Sequence, residues 1–410
     1  MFTESFKGNL RFLSFLQRPA SIAVLLFFFV GIADGAMLPF FALWAQHDAG
    51  IPVGWIGVLF GCYAGGEILA TPFIGGIADR KGRRPVLLCS TLGVGLGFLL
   101  LYFAHGVWQA ACVLLLIGIS ESVLHPTIMT VIADSVPHER MRSQAALART
   151  LSSLGRAAGP ALGAILVLHS LGSVFLASSA AILVCTVIVA CCLPETMIGE
   201  GEEDDDEEGL SSLLPALRDG RLARLLLWVI LLEMCGSWIE AALPLYAHTM
   251  GTLSASGVGA LFSYGALLVA VLQFPLTHLT RRVSEAKLVL ASGAVLVASF
   301  AALLVSPGVP SLVMAMSGFA LADMLFGPLI PAAVNALASS SKRATYMAAV
   351  SVTNDIKDTL GPATGTALFA LSLQLPWVAG IGLAAGAAVG LAAAIARAPR
   401  QRTAADHGAA

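Results

Sequence analysis

Charge is what this chain has least of. Only 12% of its residues are Asp, Glu, Lys or Arg, about half the usual globular share, while 57% are hydrophobic. A single soluble core has no use for so much apolar surface, whereas a bundle embedded in hydrocarbon does. Bases are also missing from every second connection. Apart from Arg149, Arg156 and Lys357, the 23 Lys and Arg lie in one alternating set of loops, the ends and a central linker. The sequence has no Gly-Lys-Ser/Thr phosphate loop, no Cys/His metal spacing and no nucleophile elbow, so neither an enzyme nor an ATP-driven machine is indicated. Its bases alternate with apolar runs and form no patch, which argues against nucleic-acid binding. The seven cysteines (Cys62, Cys89, Cys112, Cys185, Cys191, Cys192 and Cys235) sit in apolar segments and read as small core residues.

What is there is a series of hydrocarbon-length runs. After residues 1–20, a cytoplasmic segment whose residues 2–18 have the mixed pattern of an interfacial helix, six spans are expected at roughly 21–46, 55–77, 85–103, 109–132, 142–168 and 171–193. The first run continues past Asp34 without a small-x-small cleavage pattern and reads as a retained span. A linker at 194–221 holds the acidic run Gly199–Gly209, too charged to pack. Six more spans are expected at roughly 222–247, 257–280, 285–305, 310–338, 345–373 and 375–396, before a tail at 397–410. The base-carrying side is the cytoplasmic one, so both termini are expected there, in a multi-pass protein of the cell (inner or plasma) membrane.

The halves repeat. An offset of 202 pairs Gly57 with Gly259, Phe60 with Phe262, Glu121 with Asp323, Pro126 with Pro328, Gly159-Pro160 with Gly361-Pro362 and Gly163 with Gly365. One offset serving spans 2, 4 and 5 indicates duplicated six-helix halves. The fold class expected is an all-α membrane protein of 12 transmembrane helices in two pseudo-symmetric halves.

Between spans 2 and 3 stand Gly75, Asp79, Arg80, Gly82, Arg83 and Arg84. They match, position for position, the Gly-x-x-x-Asp-Arg-x-Gly-Arg-Arg signature of the major facilitator superfamily, and the chain resembles a transporter of that family. The stretch is expected to form a tight charged loop. The resemblance implies that these residues, with Asp134 at the end of span 4, form a charge cluster latching the two halves on the cytoplasmic side. The second-half copy, Thr280-Arg281-Arg282-Val283-Ser284, is degenerate. In span 5, Gly155, Gly159, Pro160 and Gly163 put small residues at i, i+4 and i+8 with a kinking proline. This is similar to a signature of the family's drug:proton antiporters, although Ala164 stands where a further Gly is common.

Eight acids fall inside spans: Asp34, Glu67, Glu121, Glu233, Glu240, Asp323, Asp355 and Asp358, opposed by Arg149, Arg156 and Lys357. A charge at the bilayer centre costs at least a few kcal/mol. The acids must therefore be protonated, be paired, or face a wet cavity that attracts cations. The resemblance implies that spans 1, 4, 7 and 10 surround the cavity. Those spans carry Asp34, Glu121, Glu233 or Glu240, and Asp323, taken here as candidate substrate or proton sites. His125, one turn after Glu121, is placed to share its proton. Glu67, Arg156, Asp355, Lys357 and Asp358 are candidates for interface ion pairs. Where the family's proton-coupled drug exporters often carry a span-4 Arg, this chain has Leu115.

Three readings remain open. The first is proton-coupled efflux of small amphipathic, cationic compounds by alternating access, driven by the proton gradient with no cofactor, the partners being a small-molecule substrate, protons and the bilayer, in a monomer. The second is a carrier or importer of sugars, organic acids or amino acids. A non-transporting sensor or scaffold is disfavoured by the complete loop signature and the midspan acids.

Overall fold

The computed structural model describes residues 19–195, 218–306, 308–337 and 343–397. The N-terminal amphipathic stretch, the acidic run at 199–209 and the tail bases Arg400 and Arg402 lie outside the described residues. Among the described residues every regular element is a helix. The first six are α1 (Pro19–His47), α2 (Val53–Lys81), α3 (Arg83–Tyr102), α4 (Val107–Ser135), α5 (His138–Leu166) and α6 (Ser173–Cys192). They are followed by α7 (Gly220–Thr249), α8 (Ala255–Thr280), α9 (Glu285–Val305), α10 (Val309–Phe326), α11 (Leu329–Leu337), α12 (Arg343–Leu371) and α13 (Leu375–Ala396).

By length and apolarity, 10 described segments are able to cross a membrane. The other two expected spans correspond to α5 and α12. Each has 29 residues but carries charge at midspan, Arg149 and Arg156 in one and Asp355, Lys357 and Asp358 in the other. Large apolar side chains such as Phe274, 82% exposed, face outward, as a hydrocarbon solvent allows.

Two boundaries differ from the sequence expectation. The charged stretch after span 2 is not a loop: α2 continues to Lys81 and α3 begins at Arg83, leaving Gly82 alone between them at φ +90°. Glycine is the residue that takes this left-handed conformation without a Cβ penalty. The tenth span is broken in two at Gly327-Pro328. Pro328 has no N–H to continue the ladder, and the Gly327 N–H closes the last turn of α10 on the Asp323 carbonyl at 2.9 Å. Its repeat partner Pro126 leaves α4 continuous.

The chain divides into two compact units, the first holding α1–α6 with residues 244–264 and the second holding 206–243 and 265–410. In the first, α1 lies along α5, α2 against α4, and α3 between α4 and α6. Bare backbone makes the α1–α5 contact. A Cβ on Gly31 or Gly35 would strike the backbone of Ser152 or Arg156, and one on Gly155 or Gly159 would strike that of α1. Gly163 sits against the Phe40 ring. The Gly155-Gly159-Pro160-Gly163 motif is thus a close-packing face within one unit. In the second unit α9 packs on α10 and α13. There, Gly361 and Gly365 of α12 meet Ser237 and Trp238 of α7, and the Trp238 indole N–H donates to the Thr364 hydroxyl at 2.8 Å.

Candidate functional site

The close packing of α1 on α5 and of α2 on α4 brings polar side chains from four helices to one place in the first unit. Asp34 comes from α1, Tyr63 and Glu67 from α2, Glu121 and His125 from α4, and Arg156 from α5. The carboxyl groups of Asp34 and Glu121 face each other, with oxygens within 4.8 Å. Tyr63 donates its hydroxyl to Glu121 Oε2 at 2.7 Å. The ligand atoms of Asp34, Glu121 and His125 all lie within 4.8 Å of one another. Glu121 is buried, while Asp34 and His125 are half-buried. The His125 ring rests on Phe27 with centroids 5.5 Å apart. The Arg156 guanidinium acts electrostatically on both Asp34 and His125, and Glu67 acts on Asp34 and Tyr63. Leu115 of α4, where an arginine was sought, lies in the α2–α4 contact, its carbonyl against Gly66. The base beside the acids comes from α5 instead.

The second unit holds a cavity of about 190 Å³ lined on one side by Glu233, Ser237 and Glu240 of α7. Asp323, Phe319 and Phe326 of α10, Leu296 of α9 and Lys357 of α12 complete it. Glu233 Oε2 is buried with no hydrogen-bond partner among the described residues. Lys357 Nζ lies 3.0 Å from Asp358 Oδ1, and its charge also reaches Glu240 and Glu233. Three carboxyls and two aromatic rings around a small cavity provide the chemistry for an ammonium or a protonated amine. The side chain of Asp355 lies outside the described residues.

Only part of the charged α2–α3 junction is described. The side chains of residues 71–81, including Asp79 and Arg80, lie outside the described residues, and Gly75 falls in the same stretch. Arg83 Nε reaches Asp134 Oδ2 at 3.3 Å. The tighter partner is Glu195, just beyond α6. Its carboxylate accepts the backbone N–H of Arg83 at 2.9 Å and that of Arg84 at 3.3 Å. It thereby supplies an anion to the start of α3.

Sequence reasoning missed Tyr63 and Glu195. Tyr63 sits one helical turn before Glu67 and is one of only five tyrosines in the chain, the one signal that pointed to it. Glu195 belongs to no motif, and only the fold brings it to Gly82.

The Major Facilitator Superfamily profile matches residues 23–362. The multidrug resistance protein MdtG of Escherichia fergusonii is 30% identical over 185 residues, which cover 44% of this chain and 45% of that protein. MdtG of Escherichia coli O1:K1 is 29% identical over 186 residues, again 45% of its length. The alignment thus spans less than half of these relatives. Among solved structures, the nucleoside transporter NupG superposes with a TM-score of 0.76 at 13% identity, over 92% of this chain and 98% of that one. The human organic anion transporter MFSD10 gives 0.61 at 21%, over 92% and 99%. At such identities these neighbours speak to fold alone. On the profile match the chain belongs to the Major Facilitator Superfamily and is a transporter rather than an enzyme.

Proposed function

We propose that this transporter exports small amphipathic cations in exchange for protons, by alternating access. The observation that carries the reading is the Asp34–Glu121 pair, two carboxyls with oxygens within 4.8 Å of each other, a spacing at which one shared proton relieves the repulsion of like charges, with the Tyr63 hydroxyl and the Arg156 charge beside them. A group that must lose that proton to exchange partners is suited to coupling. Arg156 supplies from α5 the positive charge that Leu115 cannot supply from α4. The cavity of Glu233, Glu240, Asp323, Phe319 and Phe326 suits the cationic substrate, since carboxyls and ring faces both attract an ammonium. The partial similarity to MdtG, named as a multidrug resistance protein, favours drug-like cargo. The motif cluster around Gly75, Asp79, Arg80, Gly82, Arg83, Arg84 and Asp134 then acts as the cytoplasmic latch, with both termini cytoplasmic and the monomer as the working unit.

Arg156 and Lys357 favour a second reading, in which a carboxylate-bearing substrate such as an organic acid or amino acid is carried. Purified protein in proteoliposomes, with an imposed pH gradient and a panel of cations and anions, separates the two. Efflux reading predicts gradient-driven flux of organic cations, competition among cations only, and loss of gradient dependence in Asp34→Asn combined with Glu121→Gln. Unchanged flux and gradient dependence in that double variant would refute it.

A further inference from the structure

A second cavity in the second unit, of about 420 Å³, has a different character. It is lined by Arg221, Arg224, Leu225 and Trp228 of α7, Leu337 of α11, and Gly390, Ala393, Ala394 and Arg397 at the end of α13. Three of the nine lining residues are arginines and none is acidic. Arg221, Arg224 and Trp228 follow at i, i+3 and i+7, so α7 presents them on one face. Trp228 seats its indole over Gly390, where a Cβ would run into the ring. Asp219, two residues before Arg221, is already engaged, accepting the Arg221 backbone N–H at 2.8 Å and the Tyr346 hydroxyl at 2.8 Å.

We infer that this cavity binds the phosphate headgroup of an anionic phospholipid. Guanidinium groups are the side chains best shaped for phosphate oxygens. The cavity is at the ends of α7 and α13, both long and apolar enough to cross a membrane, and Trp228 with Leu225 and Leu337 continues it as an apolar wall. Arginines at one end, a tryptophan below them and an apolar wall beyond match a lipid's order of phosphate, glycerol and acyl chain. Free phosphate would use the arginines and leave the wall unused. On the charge distribution this end faces the cytoplasmic leaflet, the anionic side. The inference does not depend on the substrate or on proton coupling.

The test is thermal unfolding of the full-length protein in neutral detergent, titrated separately with phosphatidylglycerol, phosphatidylcholine and inorganic phosphate. Phosphatidylglycerol is expected to raise Tm saturably, and equal concentrations of the other two are not. Arg397→Gln alone should raise the lipid concentration for half the effect about fivefold. The Arg221→Gln, Arg224→Gln, Arg397→Gln triple variant should abolish the rise, while Arg281→Gln with Arg282→Gln, exposed bases outside the cavity, should keep it. If the triple variant fails to fold, Arg397→Gln and the Arg281/Arg282 pair still decide the matter. An equal rise with phosphatidylcholine or phosphate overturns the assignment. So does an undiminished response in Arg397→Gln, or equal loss in the Arg281/Arg282 control.

Discussion

The Tyr63 hydroxyl donates to Glu121 Oε2 at 2.7 Å, joining α2 to the acid pair shared by α1 and α4. That bond helps decide which Glu121 oxygen remains for Asp34. Tyr63→Phe removes the donor without changing shape, so a buried acceptor loses a partner. We expect a loss of about 1–3 kcal/mol in stability together with a displaced pH profile of transport. Both are read by unfolding and by flux at graded pH in parallel. A stability loss with an unmoved profile would make Tyr63 a packing residue only.

Backbone contact between α1 and α5 predicts a sharp position effect. Gly159→Val must push α1 away and should cost more than about 2 kcal/mol, at the upper end of overpacking penalties. Gly61 of α2 has nothing within 4 Å of a Cβ, so Gly61→Ala should be neutral or slightly stabilising by helix propensity. Unfolding temperatures of the two variants, side by side, check the contrast.

At the α2–α3 junction, the magnitudes favour Glu195 over Asp134. Glu195 accepts two backbone N–H groups at a helix start, and losing a cap of this kind costs about 1 kcal/mol. The Arg83–Asp134 pair is partly exposed, and such pairs are worth about 0–1 kcal/mol. Glu195→Ala should therefore lower stability more than Asp134→Ala does. Equal losses would point to the ion pair as the main restraint.

Much of this architecture was legible in residues alone. Apolar runs of bilayer length and alternating basic loops located the spans, because hydrocarbon forbids other placements. The repeat offset likewise marked Glu121 and Asp323 as counterparts. Finer features were not legible. Pro126 and Pro328 occupy matching positions in the repeat, yet only the second breaks its helix, where Gly327 rather than a histidine precedes it and ends α10. Nothing local distinguished Gly82 as the single residue of the α2–α3 junction, because the preceding Gly75-Gly76 looked equally able to turn. Tyr63 and Glu195 act through contacts 58 and 112 residues away, a separation no local pattern encodes.

Asp219 offers a pH-dependent check outside the spans. The backbone N–H of Arg221, and secondarily the Tyr346 hydroxyl, hold its carboxyl below the usual range. A depressed folded-state pKa stabilises above the unfolded value and is lost as pH falls through the folded one. The difference in Tm between wild type and Asp219→Asn should hold from neutral pH to about 4 and shrink below that. A difference independent of pH would remove Asp219 from that role.

In the second unit, Glu233→Gln removes a charge whose Oε2 is buried without a hydrogen-bond partner. Stability should be unchanged or improved, since a buried carboxylate oxygen without a hydrogen bond is costly, while organic cations should bind about tenfold more weakly, the effect of one lost charge contact of roughly 1.4 kcal/mol. Calorimetric titration with a quaternary ammonium reads the second effect.

The most direct measurement is proton release on substrate binding, followed with a pH indicator in weakly buffered detergent solution. If Asp34 and Glu121 hold the coupled proton, adding a transported organic cation should release close to one proton per wild-type molecule and none from Glu121→Gln that still binds the cation. Equal release from wild type and the variant, or cation binding to wild type without release, would contradict the account.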